Sequence, residues 1–152
     1  MPSSFFIRKA QLRDAAEILA LITELAVYEK APNAVVVSLS EFEMHGWGEN
    51  PLFTSWVAVT DGQVVGMTLC YVRYSTWKGP VFYLEDFYVK KDSRKQGIGQ
   101  ALFDACVQYA KENNYERITW QVLEWNQLAI DFYNRNNALL DSEWVNGSII
   151  LH

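Results

Sequence analysis

The chain has 152 residues, 50% of them hydrophobic and 14% aromatic, enough for one domain with a sizeable core and too apolar for disorder. With 18 acidic against 13 basic side chains the net charge is −5, which speaks against nucleic acid as a partner and suits a cationic substrate. Cys70 and Cys106 lack metal-ligand spacing and read as reduced, buried thiols, while His45 and His152 cannot build a metal centre or a histidine triad. No apolar run is long enough to span a bilayer, and Met1-Pro2-Ser3-Ser4 lacks a basic signal region, so a cytoplasmic location is expected.

Phe5 to Lys9 reads as a short first strand. Asp14 is placed to cap a helix running to about Glu29, because Ile18, Leu19, Ile22, Leu25 and Ala26 recur on one helical face. Pro32 and Asn33 break it. Ser38 with Glu41, like Ser40 with Glu43, has capping-box spacing and predicts a short helix to about His45, before a loop at Gly46-Trp47-Gly48 and Pro51. Ser55 to Thr60 and Gln63 to Tyr74 are β-branched and aromatic, joined by Asp61-Gly62 as a two-residue hairpin turn. A polar loop, Ser75 to Pro80, leads to a strand over Tyr83 to Val89, then to a glycine loop and a helix from Ala101 to Lys111 that Asn113-Asn114 ends. Arg117 to Leu123 predicts a strand, Gln127 to Asn136 a helix, and the last residues a hairpin about Asn146-Gly147. The order βααβββαβαββ implies one α/β (α+β) domain over residues 1–152, a mixed sheet with helices on both faces.

Arg94-Lys95-Gln96-Gly97-Ile98-Gly99 lies between strand and helix, where unpaired N–H groups and the positive end of a helix dipole attract phosphate. It is not a Walker loop, since Gly99 is followed by Gln100 and Ala101, and the third glycine of a dinucleotide fingerprint is replaced by Leu102. Taken alone, the loop is either a plain strand–helix turn or a phosphate cradle.

Tyr83-Leu84-Glu85-Asp86-Phe87-Tyr88-Val89 places two carboxylates in an apolar strand, where adjacent residues should point to opposite faces. Each is either structural, satisfied by N–H groups and a tyrosine, or functional, with Glu85 taking a proton from an amine directly or through water. Asn126 reads as the N-cap of the helix carrying Tyr133, which lies about two turns further on and could equally cover a core edge.

Taken together, Tyr74-Ser75-Thr76-Trp77-Lys78-Gly79, Tyr83-Leu84-Glu85-Asp86, Arg94 to Gly99, and Trp125-Asn126 to Phe132-Tyr133 closely resemble the spermidine/spermine and thialysine N-acetyltransferase branch of the GNAT superfamily. Leu25-Ala26-Val27-Tyr28-Glu29 and Gly46-Trp47-Gly48-Glu49-Asn50-Pro51 extend the likeness over about residues 5–150. The resemblance implies the GNAT acyl-CoA N-acyltransferase fold, with a mixed, mostly antiparallel sheet. It implies that pantetheine pairs with backbone along Phe87, Tyr88 and Val89. Pyrophosphate would rest on N–H groups of Arg94, Lys95, Gln96, Gly97, Ile98 and Gly99, with Asn126 beside the pantetheine arm and Tyr133 facing the sulfur. Two positions depart from the branch. Asn137 stands where glycine is frequent, and asparagine tolerates left-handed angles. Ser75 stands where polyamine-specific enzymes carry aspartate, which weakens the case for a long polycation.

The expected activity is therefore transfer of acetyl from acetyl-CoA, without a metal, to a primary amine of a small molecule in a ternary complex. Thialysine, a lysine-like amine or a short diamine is the expected acceptor. Glu85 would serve as base through water, an N–H beside Phe87 as oxyanion donor and Tyr133 as acid. Glu29, Glu85 and Asp86, with Trp77 as an aromatic wall, would hold the ammonium. Polyamine acetylation, protein-lysine or N-terminal acetylation, ping-pong transfer through Cys70 or Cys106, and a non-catalytic acyl-CoA sensor are the rivals. A homodimer is expected, with a reduced C-terminal contribution because His152 follows closely on the last expected strand.

Overall fold

The computed structural model describes residues 4–151; Met1 to Ser3 and His152 lie outside the described residues. Residues 1–121 and 122–152 form separate compact units, each taken by itself.

The first unit is built on a five-stranded sheet in the order β1-β2-β3-β4-β5. The strands are β1 (Phe6–Lys9), β2 (Thr54–Thr60), β3 (Gln63–Ser75), β4 (Gly79–Val89) and β5 (Ile118–Trp120). The first three pairings are antiparallel, and β5 alone joins parallel, to β4. Asp61 and Gly62 both take positive φ, 51° and 75°, as a tight two-residue hairpin requires. The expected polar loop at 75–80 is instead a turn at 76–78, and β4 starts at Gly79. Ser75 is the physical reason: its Oγ accepts from the N–H groups of Trp77 and Lys78, at 3.2 and 3.1 Å, and closes the chain within three residues.

Helices α1 (Ala15–Tyr28) and α2 (Leu39–Trp47) cover one face of this sheet, and α3 (Ile98–Glu112) covers the other. On the α1 side Ala15, Ile18, Leu21 and Phe42 meet Val57, Val59, Met67 and Leu69. Burying each of the larger of these side chains contributes about 1.5–3 kcal/mol. On the α3 side Tyr109 packs on Trp56 and Phe82, and Phe103 stacks on Phe87. Asp14 does not cap α1 with its side chain. Its carboxylate takes a bidentate pair from Arg8, at 2.7 and 2.9 Å, and the N–H of Gln11, so the acid is held by a charge rather than by the helix. Ser38 does cap α2, accepting from the Glu41 N–H. That helix runs on through Gly46, where a Cβ would fall 2.4 Å from the Phe53 ring.

The pairing slips by one residue in two places. In the second, Leu69 opposes Asp86 while Cys70 opposes Leu84, which leaves Glu85 as an extra residue in β4. The side-chain alternation changes phase there. Before the bulge Phe82 faces α3. Beyond it Phe87 and Val89 face α3, while Tyr88 packs with the α1 core.

In the second unit α4 (Gln127–Arg135) opens on Asn126, whose side chain accepts from the Ala129 N–H at 3.3 Å. Asn137 takes φ 61°, the left-handed angle its side chain tolerates. The expected C-terminal hairpin about Asn146-Gly147 is absent: residues 138–151 form no regular element. Leu139, Trp144, Val145, Ile149, Ile150 and Leu151 are all more than 80% exposed, and a lone two-stranded hairpin without a buried face is at best marginal in water.

Candidate active site

Three carboxylates converge on the α1 side of the sheet. Glu29 follows the last residue of α1, Asp86 stands opposite Leu69 on β4, and Glu85 occupies the bulge between them. The expectation that adjacent strand acids point to opposite faces fails here, and the bulge is the reason. An inserted residue lets Glu85 turn to the Tyr71 hydroxyl, which donates to its Oε1 at 3.1 Å, without driving Asp86 through the sheet. Tyr71 and Tyr83 sit opposite each other across β3 and β4 with ring centres 5.3 Å apart, and the Arg73 guanidinium lies 5.3 Å from the Tyr83 ring.

The field of this cluster is legible in its ionisation. Burial, then Glu85, then Glu29, push the Asp86 carboxyl up to about 6. Burial and Glu85 raise Glu29 as well, and burial with the Glu85 charge lifts Tyr71 to about 12, so the phenol keeps its proton and acts as a donor. Three acids with their charges crowded together form a place where an ammonium ion relieves repulsion. The same crowding opposes folding. The acid is raised from 3.8 to about 6, so the penalty is absent below about pH 4, grows as pH rises through 6 and is constant above. Asp86→Asn is expected to stabilise the protein at pH 8 by at most about 3 kcal/mol, with the difference closing near pH 4. Denaturant unfolding of both proteins at the two pH values checks this.

The glycine loop follows β4 through a short turn of 3-10 helix at Lys91–Ser93. Lys95 and Gly97 take φ 65° and 85°, and Gly97 is the N-cap residue of α3. Left-handed residues of this kind are components of anion-binding backbone concavities, and here they lie at a helix N-terminus. Ile98 is buried and anchors the first turn. Gly99 has different surroundings: a Cβ there would meet Phe87 and Val89 at 3.6 and 3.8 Å, ordinary contact distances. Nothing in the protein's own packing calls for glycine at 99.

Phe87, Tyr88 and Val89 carry the strand from the acids to the loop, so Glu29, Glu85 and Asp86 share one region with the loop's approach. Trp77 does not join them. It stands 85% exposed at the tip of the β3–β4 hairpin, and the strand rise between Gly79 and Asp86 amounts to roughly 20 Å. The aromatic wall beside the acids is Tyr71 and Tyr83. No sequence motif singles out Tyr71, although its place two residues beyond the inward Leu69 on β3 is a signal for it. Asn126 and Tyr133 lie in the second unit, both buried, Tyr133 with its ring 5.6 Å from that of Phe132. Cys70 and Cys106 lie on the α3 side, sulfurs 3.8 Å apart, with Cys106 also on the Thr68 hydroxyl.

A family model, Acetyltransferase (GNAT) family, matches residues 17–137. The chain is 40% identical over 140 residues to thialysine N-epsilon-acetyltransferase of Bos taurus, covering 87% of this chain and 82% of the relative. It is 36% identical over 147 residues to spermidine/spermine N(1)-acetyltransferase-like protein 1 of Homo sapiens, covering 91% of this chain but 21% of that protein. Among solved structures, an aminoglycoside acetyltransferase from an uncultured soil metagenomic sample superposes with TM-score 0.80 at 22% identity, over 97% of each chain. Aminoglycoside N-acetyltransferase AAC(6')-Iy in complex with CoA does so with TM-score 0.76 at 16% identity, over 100% of this chain and 98% of that one. At such identities the structures speak for the fold.

Proposed function

The chain belongs to the acetyltransferase (GNAT) family and is an N-acetyltransferase, and from that premise we propose that it moves acetyl from acetyl-CoA to a primary amine of a small molecule. Thialysine, lysine-like amines and short diamines are the proposed acceptors. The observation that carries this reading is the acid cluster of Glu29, Glu85 and Asp86 on the α1 side, walled by Tyr71 and Tyr83. The thialysine-acetylating relatives support it.

An amine of pKa near 10.4 arrives as ammonium and must lose a proton before its lone pair can attack. Glu85, exposed at the bulge, takes that proton through water. Asp86, poised at about 6, lies nearer neutrality than an ordinary carboxylate and completes the acceptor. Amine and acetyl-CoA react directly in a ternary complex. Loop backbone from Arg94 to Gly99 holds pyrophosphate, and an N–H beside Phe87 steadies the oxyanion. Tyr133 returns a proton to the thiolate, and Asn126 supports the helix that carries it. A ping-pong route is disfavoured because both cysteines are buried on the opposite side of the sheet from the acids.

We read residues 1–152 as one GNAT domain, since the family match runs through both units. A homodimer in the cytoplasm fits the exposed apolar side chains of residues 139–151 and the free thiols. Sedimentation at twice the chain mass is the expected result.

Substrate choice is tested by acetyl-CoA consumption over thialysine, lysine, short diamines, spermidine, spermine and basic peptides. Thialysine, lysine-like amines or short diamines are expected to exceed spermine in kcat/KM. The expected order rests on the relatives, because Ser75, whose missing carboxylate suggested it, is spent on closing the hairpin far along β3 from the acids. Spermine as best substrate would place the chain with the polyamine enzymes. Turnover of peptides alone would favour a protein acceptor.

A further inference from the structure

Arg94 belongs to the glycine loop, yet its contacts lead elsewhere. Its Nε donates to the Val89 carbonyl at 2.9 Å, at the end of β4. Its guanidinium lies 5.4 Å from the ring centre of Tyr88 and 5.8 Å from that of Tyr28. Tyr28 is the last residue of α1, and Glu29 of the acid cluster comes directly after it. The Tyr88 hydroxyl in turn reaches Glu24 on α1 at 3.4 Å. One side chain of the loop therefore holds the end of β4 and the end of α1 together, between the phosphate cradle and the amine-binding acids.

We propose that Arg94 is a positioning residue that couples the two substrates: ordering of the loop by coenzyme A is passed through Tyr28 to the terminus of α1 that carries Glu29, so each substrate tightens the other. This rests on the acetyl-transfer reading above. A phosphate contact alone gives no reason for the guanidinium to engage a main-chain carbonyl and lie against two rings. The coupling has a physical carrier, a packed cation between rings on two elements, and linkage makes it reciprocal. An exposed cation–ring contact corresponds to about a two- to fivefold change in an equilibrium constant.

The test is calorimetric titration with thialysine of the protein alone and of the protein saturated with desulfo-coenzyme A, which lacks the thiol and carries no acetyl. In the wild type the coenzyme is expected to tighten thialysine by about fivefold. Tyr28→Leu removes the ring on α1 and leaves the loop's own residues, with the Arg94–Val89 hydrogen bond, in place. It should bring that ratio to about one while desulfo-coenzyme A affinity stays within about twofold. Arg94→Lys keeps the charge and loses the Nε donor, and should lower the ratio too. An unchanged ratio in Tyr28→Leu overturns the coupling, as does the absence of any ratio in the wild type. Failure of the wild type to bind desulfo-coenzyme A overturns the acetyl-CoA reading and this inference together, whereas failure to bind thialysine, lysine or a short diamine overturns the proposed acceptor and with it this coupling.

Discussion

Tyr133→Phe is expected to lower kcat by about a hundredfold or more while coenzyme affinity stays near that of the wild type. The substitution removes one oxygen from a buried ring in α4 and keeps the ring itself, so the packing against Phe132 survives. A general acid acts only as charge develops on the departing sulfur, and losing it should lower kcat and kcat/KM by the same factor. Steady-state kinetics with thialysine, beside calorimetry with coenzyme A, separates the two effects. A kcat within about threefold of wild type would remove Tyr133 from the proton path and leave it a packing residue.

Gly97→Val should weaken coenzyme A binding by about ten- to a hundredfold. The reason is the backbone. Gly97 holds φ 85° with open space around the site of a Cβ, so the cost is conformational strain in a loop that must present its N–H groups. Gly99→Ala is the informative partner. Its Cβ finds ordinary contacts within the protein and its place inside α3 favours alanine over glycine, so thermal stability should not fall, and any loss of affinity comes from the ligand's close approach. Calorimetry with coenzyme A and thermal unfolding of both variants decide the matter. Undiminished affinity in both, with the fold intact, would take this loop out of the coenzyme site.

Local chemistry makes much of this fold legible. Asp61-Gly62, Ser38, Asn126 and Asn137 each announce one backbone geometry, and each adopts it. Features that depend on distant partners are not readable in the same way. Asp14 looks like a helix cap until Arg8 comes within 2.7 Å, and Cys70 and Cys106 look unrelated until β3 and α3 bring their sulfurs together. The bulge at Glu85 carries no glycine or proline to mark it, so a strict two-residue alternation assigns Glu85 and Asp86 to opposite sides. The distance of Trp77 from the acids is not readable in the motif that contains it. A hairpin of extended strands carries its tip away from its base.

The phase change at Glu85 also makes β4 a partition wall. Beyond the bulge, Asp86 and Tyr88 belong to the α1 compartment, whereas Phe87 and Val89 belong to that of α3. Neighbouring codons therefore address different chambers. A substitution at residue 86 or 88 is felt on the α1 side and one at 87 or 89 on the α3 side. An indel in this strand is another matter. Deleting Glu85 would take out the extra residue and leave Leu69 opposite Asp86 and Cys70 opposite Leu84 in an unbroken ladder, so the residues beyond it keep their sides. Deleting a regularly paired residue such as Phe87 would instead send its neighbours to the wrong side. A change of length in β4 is therefore tolerable at the bulge and disruptive in the regular ladder on either side of it.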